Sequence, residues 1–315
     1  MTFTAACAAG SPACAQAPVP DAIAAGTFAY DWNAPLNLRD SLETREGEME
    51  VHAVSFDSPR GGRVTGLLYV PAGAGRRAAI VNLHGAPGSA RSIDAHSRGL
   101  ARHDAVVLAI DAPFARRGDP PLTFTPADSA DQVQLVVDLQ RAVDVLLARA
   151  DVDPARIAFV GGSYGGAVGT MYAAVDPRPA TYVLLVPDGG MAHHFTAENG
   201  ERDPQMQIPD DVWNRWAAAV RPVEGLRYIS RVRPGTILFQ NGRNDQAVKP
   251  FLARALHRAA GPSHTVRWYD SGHALPRQAR VDRYQWLHER IGTAAPTPEE
   301  RAEAAAETPV PPAGG

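Results

Sequence analysis

Short apolar runs alternate with longer amphipathic runs along most of the chain, and few folds are compatible with this alternation. Several short runs are almost continuously apolar, including residues 80–83 and 106–110. A strand with this pattern is buried on both faces, which is typical of a parallel sheet covered by helices. We therefore predict an α/β fold with a mostly parallel, eight-stranded sheet and helices on both faces.

The predicted strands are 51–56, 64–70, 79–83, 105–110, 157–160, 181–186, 236–240 and 265–269. The predicted helices are 90–103, 128–150, 164–175, 246–260 and 276–291. A turn cluster at 57–62 joins the first two strands, which predicts an antiparallel hairpin.

Composition narrows the class of protein. The 315 residues are 45% hydrophobic and 21% charged, with a formal net charge of -3. This weakly acidic balance argues against a protein that binds nucleic acid by neutralising phosphates. No apolar stretch approaches the roughly 18 residues of a membrane span. The two cysteines, Cys7 and Cys14, lie near the N-terminus, so a disulfide framework is excluded for the rest of the chain.

The two ends differ from the middle. Residues 1–20 are small and weakly apolar, and Ala13-Cys14-Ala15 fits the small-x-small pattern of a signal-peptidase site. We interpret this segment as a signal peptide or a disordered leader; the first would make the protein secreted or periplasmic, the second cytoplasmic. Residues 293–315 are rich in Pro, Ala and Glu, which predicts a disordered tail, with one helical turn near 299–307.

The predicted α/β domain therefore covers residues 21–292. One segment of it interrupts the alternation of predicted strands and helices. About 50 residues separate the strands at 181–186 and 236–240, far more than a plain connection needs. We predict a cap-like insertion at about 188–232, lying over the edge of the sheet. Trp213 and Trp216 are three residues apart and share a helical face, where they either line a site or belong to the core.

The segment 157–166 is the most informative part of the chain. It contains Gly-x-Ser-x-Gly at Gly161, Ser163 and Gly165, after an apolar strand and before a helical pattern. A sharp strand-to-helix turn of this kind holds a serine at its tip, and glycines let the strand and helix approach closely. The alternative of a phosphate-binding loop lacks the required Lys-Ser/Thr. We predict that Ser163 is a nucleophile.

Acyl transfer by a serine also needs two backbone N–H groups facing the oxyanion. We assign them to Tyr164, which follows the nucleophile, and to Ala86 in the loop after strand 79–83. Pro87 has no N–H to donate. We expect His84 to brace this loop by hydrogen bonding rather than to act as the base.

The nucleophile needs a base, and the base needs an acid that orients it. Later strands end in loops that carry Asp245 and His273, at the sheet edge where sites of open α/β folds gather. Asp270 is the rival acid, because it lies three residues before His273. No histidine pair has metal-ligand spacing with a supporting Glu, so we predict neither a catalytic metal nor a cofactor.

With these loops in this order, the sequence resembles the α/β-hydrolase superfamily over residues 51–291. Within it, the chain is similar to dienelactone-hydrolase-like proteins, acetyl-ester hydrolases and the catalytic domains of prolyl-oligopeptidase-like peptidases. The matching segments are 62–71, 84–85, 111–113, 153–157, 161–166, 242–245 and 272–273. One departure is Ser163, where true dienelactone hydrolases have a cysteine.

The resemblance and the motifs together predict a serine carboxylesterase with the triad Ser163, Asp245 and His273, acting on a small-molecule ester. Phe114, His193 and Trp213 are the candidate substrate-binding residues. Arg116 and Arg117 either bind a substrate carboxylate or form a solvated basic turn. Three alternatives stay open: a peptidase or amidase with the same residues, a silent scaffold that only binds, and a non-hydrolytic enzyme of the same fold. The sequence specifies no oligomeric state.

Overall fold

In the computed structural model, which describes residues 26–307, one nine-stranded sheet forms the centre of the protein. The predicted leader at 1–20 lies outside these residues. The strands are β1 (Arg39–Glu46), β2 (Met49–Asp57), β3 (Arg63–Pro71), β4 (Arg77–Leu83), β5 (Ala105–Ile110), β6 (Val152–Gly162), β7 (Thr181–Leu185), β8 (Ile237–Gly242) and β9 (Thr265–Tyr269). Their order across the sheet is β1-β2-β3-β5-β4-β6-β7-β8-β9.

The sheet is parallel from β5 to β9, and antiparallel from β1 to β3 and where β3 meets β5. Strands β4 and β5 are buried at every position, as their continuously apolar sequences predict. The predicted hairpin is confirmed, because β2 and β3 pair antiparallel through the turn at 58–62.

The prediction of eight strands misses the edge strand β1. Its sequence is polar, and all but one of its positions are exposed. The strand pairs with β2 along its length and buries neither face, so neither face has to be apolar. A strand without a buried face leaves no alternating pattern in the sequence.

Helices cover both faces of the sheet. They are α1 (Asp94–Arg102), α2 (Pro113–Arg117), α3 (Ala127–Leu147), α4 (Tyr164–Val175), α5 (Met191–His194), α6 (Asp210–Val220), α7 (Pro250–Ala260), α8 (Arg277–Ile291) and α9 (Pro298–Ala306). Residues of α3, α4 and α7 pack into one apolar cluster, and residues of α1 and α8 pack into another on the opposite face. Among residues 26–307, no helix is long and apolar enough to cross a membrane.

The segment predicted to be a disordered tail contains helix α9. Thr297 and Glu300 form a capping box at its start, and Arg277 of α8 pairs with Glu303. Ala304 is buried. Reciprocal capping and docking against another helix stabilise a segment whose composition alone predicts disorder.

The long connection between β7 and β8 contains α5, α6 and three short 3-10 helices. Trp213 and Trp216 are both buried there, in an apolar cluster with Met191, Ala217 and Val220. The cluster is a small core of the insertion, which is the second of the two interpretations given for the tryptophans.

Candidate active site

Ser163 lies at the turn between β6 and α4. Its backbone has φ 53° and ψ −118°, a conformation that non-glycine residues rarely adopt. Helix α4 starts at the next residue and packs so closely on β4 that a Cβ at Gly165 would lie 2.5 Å from the Leu83 carbonyl oxygen. The close packing explains the glycine and holds Ser163 in its strained position at the sheet's edge.

Asp245 and His273 form a hydrogen-bonded pair beside this edge. Asp245 Oδ2 lies 2.8 Å from His273 Nδ1, and Asp245 is buried. The other carboxylate oxygen, Oδ1, accepts the backbone N–H groups of Ala247 and Val248, each at 2.9 Å. Because the carboxylate only accepts, it selects the imidazole tautomer that has its proton on Nδ1 and leaves Nε2 free to accept another.

The backbone brings these two loops together. Beyond the ends of β8 and β9, the N–H of Arg243 bonds the Tyr269 carbonyl at 2.9 Å, and the N–H of Asn244 bonds the Ser271 carbonyl at 3.0 Å. A Cβ at Gly242 would lie only 2.2 Å from the carbonyl oxygen of Gly272. The contact therefore requires glycine and fixes where His273 approaches Asp245.

The rival acid Asp270 points elsewhere. Its side chain is 76% exposed and pairs with Arg243 at 3.0 Å. Of the two candidate acids, only Asp245 is hydrogen-bonded to His273.

Ser163 and His273 follow strands of the same parallel region, β6 and β9, so both lie at the carboxyl edge of the sheet. Ser163 lines a cavity of about 210 Å³, which His273 does not line. Within residues 26–307, the two side chains form no hydrogen bond with each other.

The loop after β4 lies beside Ser163, and Ala86 and Tyr164 line the same cavity. His84 braces the loop, as the sequence predicts. Its Nε2 accepts the N–H of Ala112 at 3.0 Å, and its Nδ1 therefore donates to the Gly85 carbonyl at 2.7 Å. Burial lowers the pKa of His84, which favours the neutral ring that this arrangement needs.

The three predicted substrate-binding residues do not line the cavity. Phe114 is buried and packs edge-on against His84 and Tyr164, so it contacts residues of the site without facing the cavity. Trp213 belongs to the core of the insertion. The His193 ring accepts the N–H of Gly189 at 3.1 Å and lies outside the cavity.

The cavity wall is mostly apolar, with Leu122, Met191 and Phe195 among its residues. It also contains His194, together with Gln132 and Asp188, which the sequence did not single out. Asp188 follows the end of β7 as Asp245 follows β8, and the same rule about strand ends could have found it. Its Oδ2 lies 2.6 Å from His194 Nδ1.

Glu224 holds the segment that carries His194. Its buried carboxylate accepts the backbone N–H of His193 at 2.8 Å. Burial raises the pKa of Glu224 to about 7, although hydrogen bonds from the backbone N–H groups of His193 and Ala192 lower it. The carboxyl group therefore changes charge near neutral pH.

Both interpretations of the basic pair 116–117 are wrong for Arg116. Its guanidinium is buried and donates to the fully buried carboxylate of Asp138 at 2.7 Å. Arg117 pairs with Asp119 and Asp131 at the surface. Because both cations already have carboxylate partners, neither is positioned for a substrate.

Across residues 26–307, no group of three or more His, Cys, Asp and Glu side chains could hold a metal ion.

A family model of the alpha/beta hydrolase fold matches residues 78–236, which include β4 to β7 and the turn at Ser163. The chain belongs to the alpha/beta hydrolase fold family. A search of curated proteins finds no match to this sequence.

Solved alpha/beta hydrolase structures resemble this one over most of their length. An acetyl xylan esterase from Paenibacillus sp. R4 is 21% identical with a TM-score of 0.66, covering 82% of this chain and 90% of its own. Acetyl xylan esterase 1 from Thermoanaerobacterium sp. JW/SL YS485 is 16% identical with a TM-score of 0.62, covering 81% and 88%. A cold-adapted esterase from an Arctic intertidal metagenomic library is 17% identical with a TM-score of 0.58, covering 82% and 99%. At these identities the likeness demonstrates the shared fold.

Proposed function

We propose that this alpha/beta hydrolase cleaves carboxylic esters of small molecules through an acyl-enzyme intermediate. Ser163 is the nucleophile, His273 the general base and acid, and Asp245 the residue that orients His273. The backbone N–H groups of Ala86 and Tyr164 form the oxyanion hole.

The observation that carries this proposal is the strained backbone of Ser163 at the wall of a cavity. Strain of this kind persists only where the surrounding structure enforces it, and it gathers at functional sites. The Asp245–His273 pair adds a base with the required tautomer. The esterases among the structural neighbours agree with this chemistry.

The reaction proceeds in two halves. Ser163 Oγ attacks the ester carbonyl carbon while His273 Nε2 takes the hydroxyl proton, and the carbonyl electrons become the oxyanion. When the tetrahedral intermediate collapses, His273 returns that proton to the leaving alcohol. Water then loses a proton to His273, attacks the acyl-enzyme and releases the carboxylic acid. Asp245 stabilises the imidazolium in both halves.

Proton transfer requires a hydrogen bond between Ser163 Oγ and His273 Nε2. In unliganded hydrolases this bond is often long and tightens when substrate binds. We therefore infer that substrate completes the contact.

The size of the cavity favours small acyl groups. Its volume of about 210 Å³ is below the roughly 300–1,000 Å³ of sites for drug-sized ligands. We further propose that the insertion at 188–232 acts as the cap of this cavity, because Met191 and Phe195 of the insertion form part of its wall.

Labelling with a fluorophosphonate and turnover of p-nitrophenyl esters of increasing acyl length test the proposal. We expect labelling at Ser163, highest kcat/KM for short acyl chains, and a loss of about 10⁴-fold or more in Ser163→Ala. Ser230→Ala is the matched control, since Ser230 is exposed and lies outside the cavity. Undiminished turnover in Ser163→Ala would refute the assignment, and faster cleavage of matched peptide amides would favour a peptidase.

A further inference from the structure

Part of the wall of the cavity beside Ser163 comes from two separate segments of the chain. The loop between α2 and α3 contributes Leu122, and the insertion contributes Met191 and Phe195. These three side chains belong to, or pack against, the apolar cluster that contains the fully buried Trp216 of α6. The contacts that fix Trp216 therefore also fix this part of the wall.

Asp128 joins the two segments. It lies in the first turn of α3 and is 3% exposed. Its Oδ2 accepts the indole N–H of Trp216 at 2.7 Å and the backbone N–H of Phe124 at 3.0 Å. Its Oδ1 accepts the backbone N–H of Thr123 at 3.0 Å and the Thr123 hydroxyl at 2.7 Å. One buried carboxylate thus connects both the loop and the insertion to α3.

The loop depends on these contacts for its shape. Phe124 has φ 55°, a left-handed backbone that is strained for a residue with a large side chain. Its ring packs against the rings of Trp216 and Phe195, with centroids 5.0 and 5.7 Å away. Such strain persists only where the surroundings enforce it, and here Asp128 and the aromatic contacts do so. The position of Leu122, two residues earlier, follows from the same contacts.

We propose that Asp128 is a positioning residue that limits the length of the acyl chain that the cavity accepts. The inference rests on the proposed esterase function. Asp128 does not line the cavity and acts through Leu122 and Phe195, which do. One extra methylene group in an apolar pocket changes kcat/KM by roughly 10- to 200-fold, so a wall held in place discriminates strongly by chain length. Without the carboxylate the two segments can separate, and longer chains fit.

Asparagine at position 128 can keep these contacts, which makes it the conservative variant. Its oxygen, in the place of Oδ2, accepts from Phe124 and Trp216, and the N–H of Thr123 lies within 3.2 Å of the same position. Its NH₂ group donates to the Thr123 hydroxyl, which can accept as well as donate. Alanine offers no acceptor to any of these donors.

Turnover of p-nitrophenyl acetate and p-nitrophenyl octanoate tests the inference, and the readout is the ratio of kcat/KM for octanoate to that for acetate. We expect a ratio below about 0.1 in the wild-type protein and a ratio about tenfold higher in Asp128→Ala. Trp216→Phe removes the indole N–H and should also raise the ratio, whereas Asp128→Asn should keep it within about twofold of the wild-type value. In all of these variants kcat/KM for acetate should stay within about threefold of the wild-type value, because none of them changes a residue of the proposed triad.

Trp286→Phe is the matched control. The Trp286 indole also donates a buried hydrogen bond, to Thr181 Oγ1 at 2.8 Å, but it belongs to the apolar cluster packed by α1 and α8. This variant should leave the ratio unchanged, and melting temperatures show whether each variant is folded. If Asp128→Ala does not fold, Trp216→Phe decides.

A wild-type protein that cleaves octanoate as fast as acetate overturns the inference whether or not the variants fold. An equal loss of both activities in Asp128→Ala and Trp216→Phe, with the ratio unchanged, also overturns it, because it would mean that Asp128 only stabilises the fold. If Ser163 is labelled and acetate is cleaved, these results refute this inference alone. Absence of labelling and of turnover in the wild-type protein refutes the proposed function itself.

Discussion

Replacing Asp245 with Asn tests the proposed orientation of His273 with the smallest change in shape. The buried carboxylate holds Nδ1 of His273 with one oxygen and two backbone N–H groups, of Ala247 and Val248, with the other. Asparagine has one oxygen and one NH₂ group in the same positions, so it can satisfy only one of these sides.

The backbone N–H groups determine which of these two contacts keeps the oxygen of the asparagine. If the NH₂ group faced Ala247 and Val248, both N–H donors would lose their acceptor, and the buried donor at Val248 alone would cost about 1–3 kcal/mol. The oxygen therefore stays on the backbone, and the NH₂ group faces His273. The ring must then accept at Nδ1 and carry its proton on Nε2, where it can no longer take one from Ser163. We expect kcat to fall about 10⁴-fold, which corresponds to about 5 kcal/mol in the activation barrier.

Steady-state hydrolysis of a short p-nitrophenyl ester measures this loss, and the melting temperature shows whether the fold is kept. Asp270→Asn is the matched control, because Asp270 is exposed and pairs with Arg243. We expect its kcat to stay within about twofold of the wild-type value. A kcat loss of less than about tenfold in Asp245→Asn, with the fold intact, would refute the assigned role of Asp245.

Three further substitutions test other parts of the structure. Gly242→Ala places a Cβ 2.2 Å from the Gly272 carbonyl oxygen, so the adjoining loop that carries His273 must shift; we expect about a hundredfold loss of kcat/KM, and wild-type kinetics would contradict this. Arg116→Ala leaves the buried Asp138 carboxylate without its cation, and urea unfolding should show a loss of about 3–5 kcal/mol, with unchanged stability as the contrary result. Glu224 is buried with a pKa of about 7, against an ordinary 4.5, so the native state binds its proton more tightly than the unfolded state does. The free energy of unfolding of the wild-type protein should therefore fall by up to about 3 kcal/mol as the pH rises from about 4.5 through about 7. In Glu224→Gln this fall should be absent, and identical pH profiles of the two proteins would contradict the reasoning.

The sheet and the turn at Ser163 are predictable because their signals lie in contiguous residues. Strands β4 and β5 are apolar at nearly every position because both faces are buried, and that burial is visible without knowing the partner strands. Edge strand β1 and helix α9 leave weaker signals, because pairing and docking with one neighbour stabilise them.

The position of the predicted substrate-binding residues outside the cavity has a different cause. His193 and His194 are neighbours in the sequence, yet only His194 lines the cavity, because successive helical residues point in different directions. Trp213 and Phe114 are large and aromatic, but the packing of the insertion and of the loop after β4 turns both into supporting residues.

The amino-acid sequence alone predicted the fold class, the strained turn at Ser163 and the closeness of Asp245 to His273. Local sterics, and the gathering of loops at the carboxyl edge of a parallel sheet, can both be inferred from short segments. Folding in three dimensions decided which side chains share the cavity. Asp188, His194 and Gln132 lie up to 62 positions apart in the chain, and their meeting depends on how the insertion packs on α3 and α4, which no periodicity in the sequence encodes.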